Sequence, residues 1–154
     1  MSSYIRKAMM QDVKAIHALL MSCASKGQLL PRSLSSLYSH LRDFHVLVDR
    51  DDERVLGCCA LTIFWADHAE IRSLAVVEEL KGRGFGRKLV ESCLSEAVTL
   101  GVYKVFTLTY VSGFFARLGF EEVEKDVLPQ KVWTDCLNCP KFPDCDETAM
   151  LLVM

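Results

Sequence analysis

Three glycines fall within five residues in the run Lys81-Gly82-Arg83-Gly84-Phe85-Gly86-Arg87, the densest chemical signal in the chain. A strand-like segment, Ile71 to Val77, precedes the run, and helix-like spacing begins within it. Glycines leave the backbone bare, so several N–H groups can face one anion along the positive end of the helix dipole. That geometry binds phosphate. Spacing then excludes two phosphate loops. A Walker loop closes on Gly-Lys-Ser/Thr, whereas Arg87 and Lys88 follow the last glycine here, and a dinucleotide fingerprint requires glycine where Arg87 stands.

Other residues carry weaker signals. Lys26 and Arg32 flank the helix-breaking run Gly27-Gln28-Leu29-Leu30-Pro31, a connection whose side chains can reach a ligand. Arg72 follows Glu70 by two residues, so strand alternation places both on one face. Cys136, Cys139 and Cys145 are separated by two and five residues. Three thiolates need a fourth ligand to hold zinc, and the expectation is reduced thiols packing a loop, with no metal. Seven cysteines are an odd count, Cys58 and Cys59 are adjacent, and no export signal precedes them, which also points to free thiols.

The elements that must position these residues follow from periodicity. Tyr4 to Ala8 reads as a strand, and Asp12 as the N-cap of a helix carrying Val13, Ile16, Leu19 and Leu20. His17 lies in that helix as a partly exposed residue. A second helix begins at Ser33 or Ser35, with Leu34, Leu37, Tyr38 and Leu41 at helical spacing. His45–Asp49 and Arg54–Trp65 form two strands around the turn Asp51-Asp52-Glu53, and Glu70–Val76 continues an antiparallel meander. The helix after the glycine run buries Phe85, Leu89, Cys93, Leu94, Ala97 and Val98 and stops at Gly101. Lys104–Thr109 is a strand parallel to Glu70–Val76 if the crossover is right-handed. Ser112–Leu118 is a short helix, a strand runs from Gly119 through Leu128, and Thr148–Met154 is the last strand. The class is mixed α/β.

Length, charge and hydropathy narrow the function. A chain of 154 residues reads as one domain spanning 1–154, and 51% apolar residues suffice for a core. The net charge of −2, from 18 basic and 20 acidic residues without long runs, suggests neither nucleic acid nor a polybasic membrane patch. The longest apolar run, Val55 to Ala66, is well short of the roughly 20 residues of a bilayer span. With Arg6, Lys7 and Asp12 near its start the chain shows no secretory signal, so a cytoplasmic protein with a small-molecule partner is expected.

The loop, read as Lys81, two residues, Gly84, one residue, Gly86 after Leu74-Ala75-Val76, resembles that of the GNAT acetyltransferases, with lysine where that family has arginine or glutamine. Phe114-Phe115-Ala116-Arg117-Leu118-Gly119-Phe120 resembles the family segment ending in Leu-Gly-Phe. The element order is similar over nearly the whole chain. Within the family, GQLLPRSLSSLY, LRDF and VWTDCLNCPKFPDCDETAM are most similar to stand-alone amino-acid acetyltransferases of the N-acetylglutamate synthase type. The resemblance implies a central mixed sheet of six to seven strands, about four flanking helices, and a chain without the amino-acid-kinase domain and arginine site of larger synthases. It is compatible with a homodimer.

What the resemblance implies chemically is direct acetyl transfer from acetyl-CoA to an amine, L-glutamate foremost. The loop Lys81, Gly82, Arg83, Gly84, Phe85, Gly86 and Arg87 would hold the cofactor's phosphates. Leu74, Ala75 and Val76 would bind its pantetheine arm and thioester through backbone N–H groups, and Phe115 would lie near its thiol end. Glu70 matches the strand glutamate that serves relatives as general base. The family's usual tyrosine acid is replaced by Phe115, leaving Tyr110 or water to protonate the thiolate. Arg32, Arg72 and Lys26 are the candidates for reading an acceptor carboxylate. The alternatives are another small amine or a protein N-terminus as acceptor, or a non-catalytic acyl-CoA sensor.

Overall fold

The computed structural model describes residues 2–128 and 147–154. Seven strands form one sheet: β1 (Ser3–Lys7), β2 (Phe44–Asp49), β3 (Val55–Trp65), β4 (His68–Val76), β5 (Lys104–Thr109), β6 (Glu121–Glu122) and β7 (Thr148–Val153). Their order is β1-β2-β3-β4-β5-β7-β6. Among the described residues four α-helices accompany them: α1 (Val13–Ser25), α2 (Leu34–Ser39), α3 (Phe85–Thr99) and α4 (Ser112–Arg117). The expected mixed α/β class, with its six to seven strands and four helices, is borne out.

Contacts divide the chain into two compact units, Met1–Leu61 with Ile71–Glu96, and Thr62–Glu70 with Ala97–Met154. In the first, β1 and β2 pair antiparallel from Ser3↔Asp49 to Lys7↔His45, and β2 pairs antiparallel with β3. Val13, Ile16 and Leu20 of α1 recur at three and four residues and bury against Leu37, Phe44, Val46, Val48, Cys58 and Ala60. Ser33 starts α2 as its N-cap, its Oγ accepting the Ser36 N–H at 3.0 Å.

In the second unit β4 and β5 pair in parallel, as expected, from His68↔Lys104 to Glu70↔Phe106. β5 pairs antiparallel with β7, and β7 with β6. Phe106, Leu128 and Ala149 form its core with Phe64, Leu108, Val123 and Leu151. Phe115 and Phe120 are both buried, edge to face at 5.2 Å.

Three local expectations are corrected. Asp12 precedes α1 but makes no side-chain cap to it. Its carboxylate is buried, accepting the Met9 N–H at 2.7 Å and Arg6 at 2.7 and 3.1 Å, so the ion pair with β1 takes the oxygens a cap would use. On α3, Val98 is exposed while Leu89, Val90, Cys93 and Ala97 are fully buried, because the apolar stripe includes Val90 and turns away before the last turn. The strand expected from Gly119 to Leu128 shrinks to Glu121–Glu122, followed by a 3-10 turn at Lys125–Val127. Five charged residues between 121 and 126 leave no apolar alternation to bury, and this edge strand ends early.

Candidate active site

The glycine run is a turn and a helix start, as expected. Gly82 and Gly84 have φ of +78° and +85°, the left-handed region that a Cβ disfavours, and a Cβ built at either meets nothing within 4 Å. Among the described residues, the N–H groups of Gly82 to Arg87 donate to no backbone carbonyl, while Lys88 returns the helix to its ladder by donating to Gly84 at 3.2 Å. A row of N–H donors thus crowns the positive end of α3 on an exposed surface. Arg83 and Arg87 add charge there, and Lys88 lies over the Phe85 ring at 5.3 Å. The Lys81 ammonium is already held, by Gln28 Oε1 at 3.0 Å and Glu78 at 3.0 Å.

The strand leading into this loop is not regular. Ser73 has φ +55°, a left-handed value in a non-glycine residue in the middle of β4. Such a conformation costs on the order of 1–2 kcal/mol and needs neighbours to hold it. Two are visible. The Cys58 thiol donates to the Ser73 carbonyl at 3.3 Å, and Arg32 Nη1 donates to Ser73 Oγ at 3.4 Å. The break lies directly ahead of Leu74, Ala75 and Val76. Gly57 lets β3 approach closely here, since a Cβ on it would sit 3.0 Å from the Ala75 carbonyl.

Arg32 is only 8% exposed, although it follows an exposed connection. Its guanidinium donates to Ser36 Oγ at 3.0 and 3.3 Å and lies 5.2 Å from the Phe44 ring centre. Two hydroxyls and an aromatic face orient the fork. Glu70 is 6% exposed and is the last residue of β4 in the β4–β5 ladder. Arg72 is half-buried on the same strand. Lys26, by contrast, caps the end of α1 on the surface, 3.5 Å from Glu78. Tyr110 is half-buried directly after β5, and Phe115 is packed against Phe114 at 5.0 Å.

Arg32, Ser36 and Ser73 are therefore brought together. Ser36, Ser73 and Gln28 were missed from the sequence. The Ser33 cap, which fixes the phase of α2, is the one signal that could have placed Ser36 beside Arg32. Cys136, Cys139 and Cys145 lie outside the described residues, and those described hold no group of three metal-ligating side chains. Nor do they hold a helix long and apolar enough to cross a membrane. A groove of about 580 Å³ lined by Asp12, Ala15, Leu19, Glu53 and Val55, among others, contains none of the predicted residues. Its carboxylates already face Arg6 and Tyr4.

Residues 13–120 match the model of the Acetyltransferase (GNAT) family. The chain belongs to that family. This GNAT chain is an acyltransferase by membership, and it is 45% identical over 147 residues to an uncharacterized N-acetyltransferase of Chlorobaculum tepidum, covering 96% of this chain and 94% of the relative. It is 37% identical over 132 residues to the amino-acid acetyltransferase of Mycobacterium tuberculosis, covering 85% of this chain and 75% of the relative. Its fold is similar to N-acetylglutamate synthase from Neisseria gonorrhoeae complexed with coenzyme A and N-acetyl-glutamate, with TM-score 0.89 and 28% identity. That match covers 99% of this chain and 35% of the synthase, so the GNAT chain spans about a third of the length of that protein.

Proposed function

We propose that this GNAT chain transfers acetyl from acetyl-CoA to the α-amine of an amino acid, L-glutamate foremost, in a ternary complex. One observation carries the cosubstrate half of the reading: the row of N–H groups from Gly82 to Arg87, open and at a helix N-terminus, suits a pyrophosphate. The acceptor half is supported by the likeness to an N-acetylglutamate synthase and by the buried guanidinium of Arg32, oriented by Ser36 and Ser73. A carboxylate is what such a fork reads.

In this mechanism the loop fixes the phosphates and the backbone beside Ala75 and Val76 holds the thioester oxygen, so the enzyme positions reactants and supplies no nucleophile. An α-ammonium must lose a proton before it attacks. Glu70 takes that proton, directly or through water, and Tyr110 returns one to the thiolate. Arg32 and Arg72 hold the acceptor's carboxylates, and Lys26 lies at the edge of the same connection. The protein acts as a single domain, and first-step arginine synthesis in the cytoplasm is the corresponding cellular role.

The test is thiol release from acetyl-CoA with each amino acid in turn, alongside polyamines and a peptide N-terminus. Glutamate is expected to give the highest kcat/KM. Higher turnover with a polyamine or peptide would sink the acceptor assignment while leaving the cosubstrate intact. Calorimetry with CoA tests the latter separately.

A further inference from the structure

The acetyl-transfer reading leaves one reactive group unused. Cys93, in the middle of α3, is fully buried, and its sulfur lies 3.4 Å from His45 Nδ1 of β2. His45 Nε2 lies 3.3 Å from Glu96 Oε2, and Lys7 Nζ of β1 donates to the same carboxylate at 3.0 and 3.1 Å. With Nε2–H donating to Glu96, the imidazole presents Nδ1 as the acceptor for the Cys93 thiol. Thiol, base and orienting carboxylate thus stand in series, the arrangement that activates a nucleophile. The charges on thiolate, imidazolium, Glu96 and Lys7 cancel.

A second thiol adjoins the first. Cys93 donates to the Cys59 carbonyl at 3.8 Å, and Cys59 stands opposite His45 in the β2–β3 register, on the same face of the sheet. Cys59 and then His45 hold Cys93 below the ordinary thiol range, against its burial and the charge of Glu96, while Cys59 is pushed up by its interaction with Cys93 and by burial. One thiolate serves the pair. Cys58, one residue away on β3, points to the other face and donates to Ser73. The groups facing Cys93 are therefore His45 from β2, Cys59 from β3 with Cys58 behind it, and Glu96 from its own helix. Glu96 and Lys7 are partly exposed, at 29% and 44%, so the series runs from solvent to the buried sulfur.

We propose that Cys93 is a peroxide-reactive thiol whose oxidation is resolved by Cys59, making this pair a modification site in the protein. The Cys93 thiolate attacks one oxygen of hydrogen peroxide, the O–O bond breaks, and hydroxide leaves with a proton from the imidazolium as water. Cys93 is then a sulfenic acid. The Cys59 sulfur displaces its hydroxyl, which departs as a second water, and a disulfide joins β3 to α3. Two thiols have lost two electrons and the peroxide has gained them. Peroxide, uncharged and only two oxygens long, is the oxidant suited to a site this enclosed.

The test treats the whole protein with hydrogen peroxide, removes the peroxide with catalase, alkylates the remaining thiols with N-ethylmaleimide in denaturant at neutral pH, and maps tryptic peptides by mass spectrometry. A cross-link between peptides 55–72 and 89–104 is expected in the wild type. In Cys59→Ala the cross-link should vanish and Cys93 should gain one or two oxygens instead. His45→Gln should slow loss of the Cys93 thiol by about tenfold or more, because glutamine neither takes the thiol proton nor protonates the leaving hydroxide. Should His45→Gln fail to fold, His45→Asn removes the same base and should slow the loss in the same sense. The proposal is overturned if Cys93 is recovered fully alkylated after a dose that consumes free cysteine, or if the relay variant that folds oxidises at the wild-type rate.

Discussion

Glu70 is the residue whose role is most directly testable. Its burial at the last rung of the β4–β5 ladder suits a base held in place, and the amine it would serve is mostly protonated at neutral pH. Glu70→Gln is expected to lower kcat/KM by one to several orders of magnitude near pH 7, on the order of the 10²–10⁴-fold typical of acid–base groups. Activity should recover in part at alkaline pH, where free amine exists without a base. A pH–rate profile parallel to the wild type's would return Glu70 to a structural role. Arg32 makes a complementary case. Arg32→Lys keeps the charge but loses the fork, so KM for glutamate should rise by about tenfold or more, the equivalent of roughly 1.5–3 kcal/mol, with kcat little changed. A KM within twofold of wild type would remove Arg32 from the acceptor site. Both residues stand out in the sequence as candidates, from type and position alone. Ser73 does not, because serine carries no signal for a left-handed backbone, and the partners that meet it at φ +55°, Cys58 and Arg32, are distant in sequence.

The glycine loop and α3 were the most legible elements, since glycine spacing, the apolar stripe and the Gly101 stop are all local signals. Gly101 has φ +82° and closes the helix through its N–H to Val98 and that of Val102 to Ala97. Elements whose ends depend on partners were less legible, as the shortened β6 and the diverted Asp12 carboxylate show. The loop also corrects a simple expectation about its own mutation. Gly84→Val on steric grounds alone would block the pyrophosphate and spare the fold, yet φ of +85° means any Cβ strains the backbone by about 1–2 kcal/mol. Gly84→Ala shares that strain with less bulk. We expect both variants to lose a similar amount of stability in urea. CoA affinity should fall more in Gly84→Val, and equal CoA affinity in wild type and folded Gly84→Val, by calorimetry, would remove the loop from the cosubstrate site.

At the scale of the molecule, the question is which carboxylates tie stability to pH. Asp67, Glu78 and Glu79 are all held below their ordinary range, by His68, Lys81 and Arg54 respectively, but they lie in solvent, where such pairs contribute little. Asp12 differs. Burial pushes its carboxyl up, yet the Arg6 hydrogen bond, the Met9 N–H and the Arg6 charge together outweigh burial and hold it below its ordinary value. Arg6 is raised in turn, first by its hydrogen bond to Asp12. A depressed folded value means the unfolded chain binds this proton first. The stabilisation is therefore complete above the unfolded value, about 4 for aspartate, and disappears as pH falls through the folded one. The pair joins β1 to the turn ahead of α1, inside the unit that also carries the glycine loop. Asp12→Asn should cost about 3 kcal/mol at pH 7, the lower end for breaking a buried pair, because Glu53 at 3.7 Å remains to accompany Arg6. Between pH 6 and pH 3 the urea midpoint of the wild type should fall more steeply than that of Asp12→Asn. Parallel falls would show that the acid sensitivity of this protein arises elsewhere.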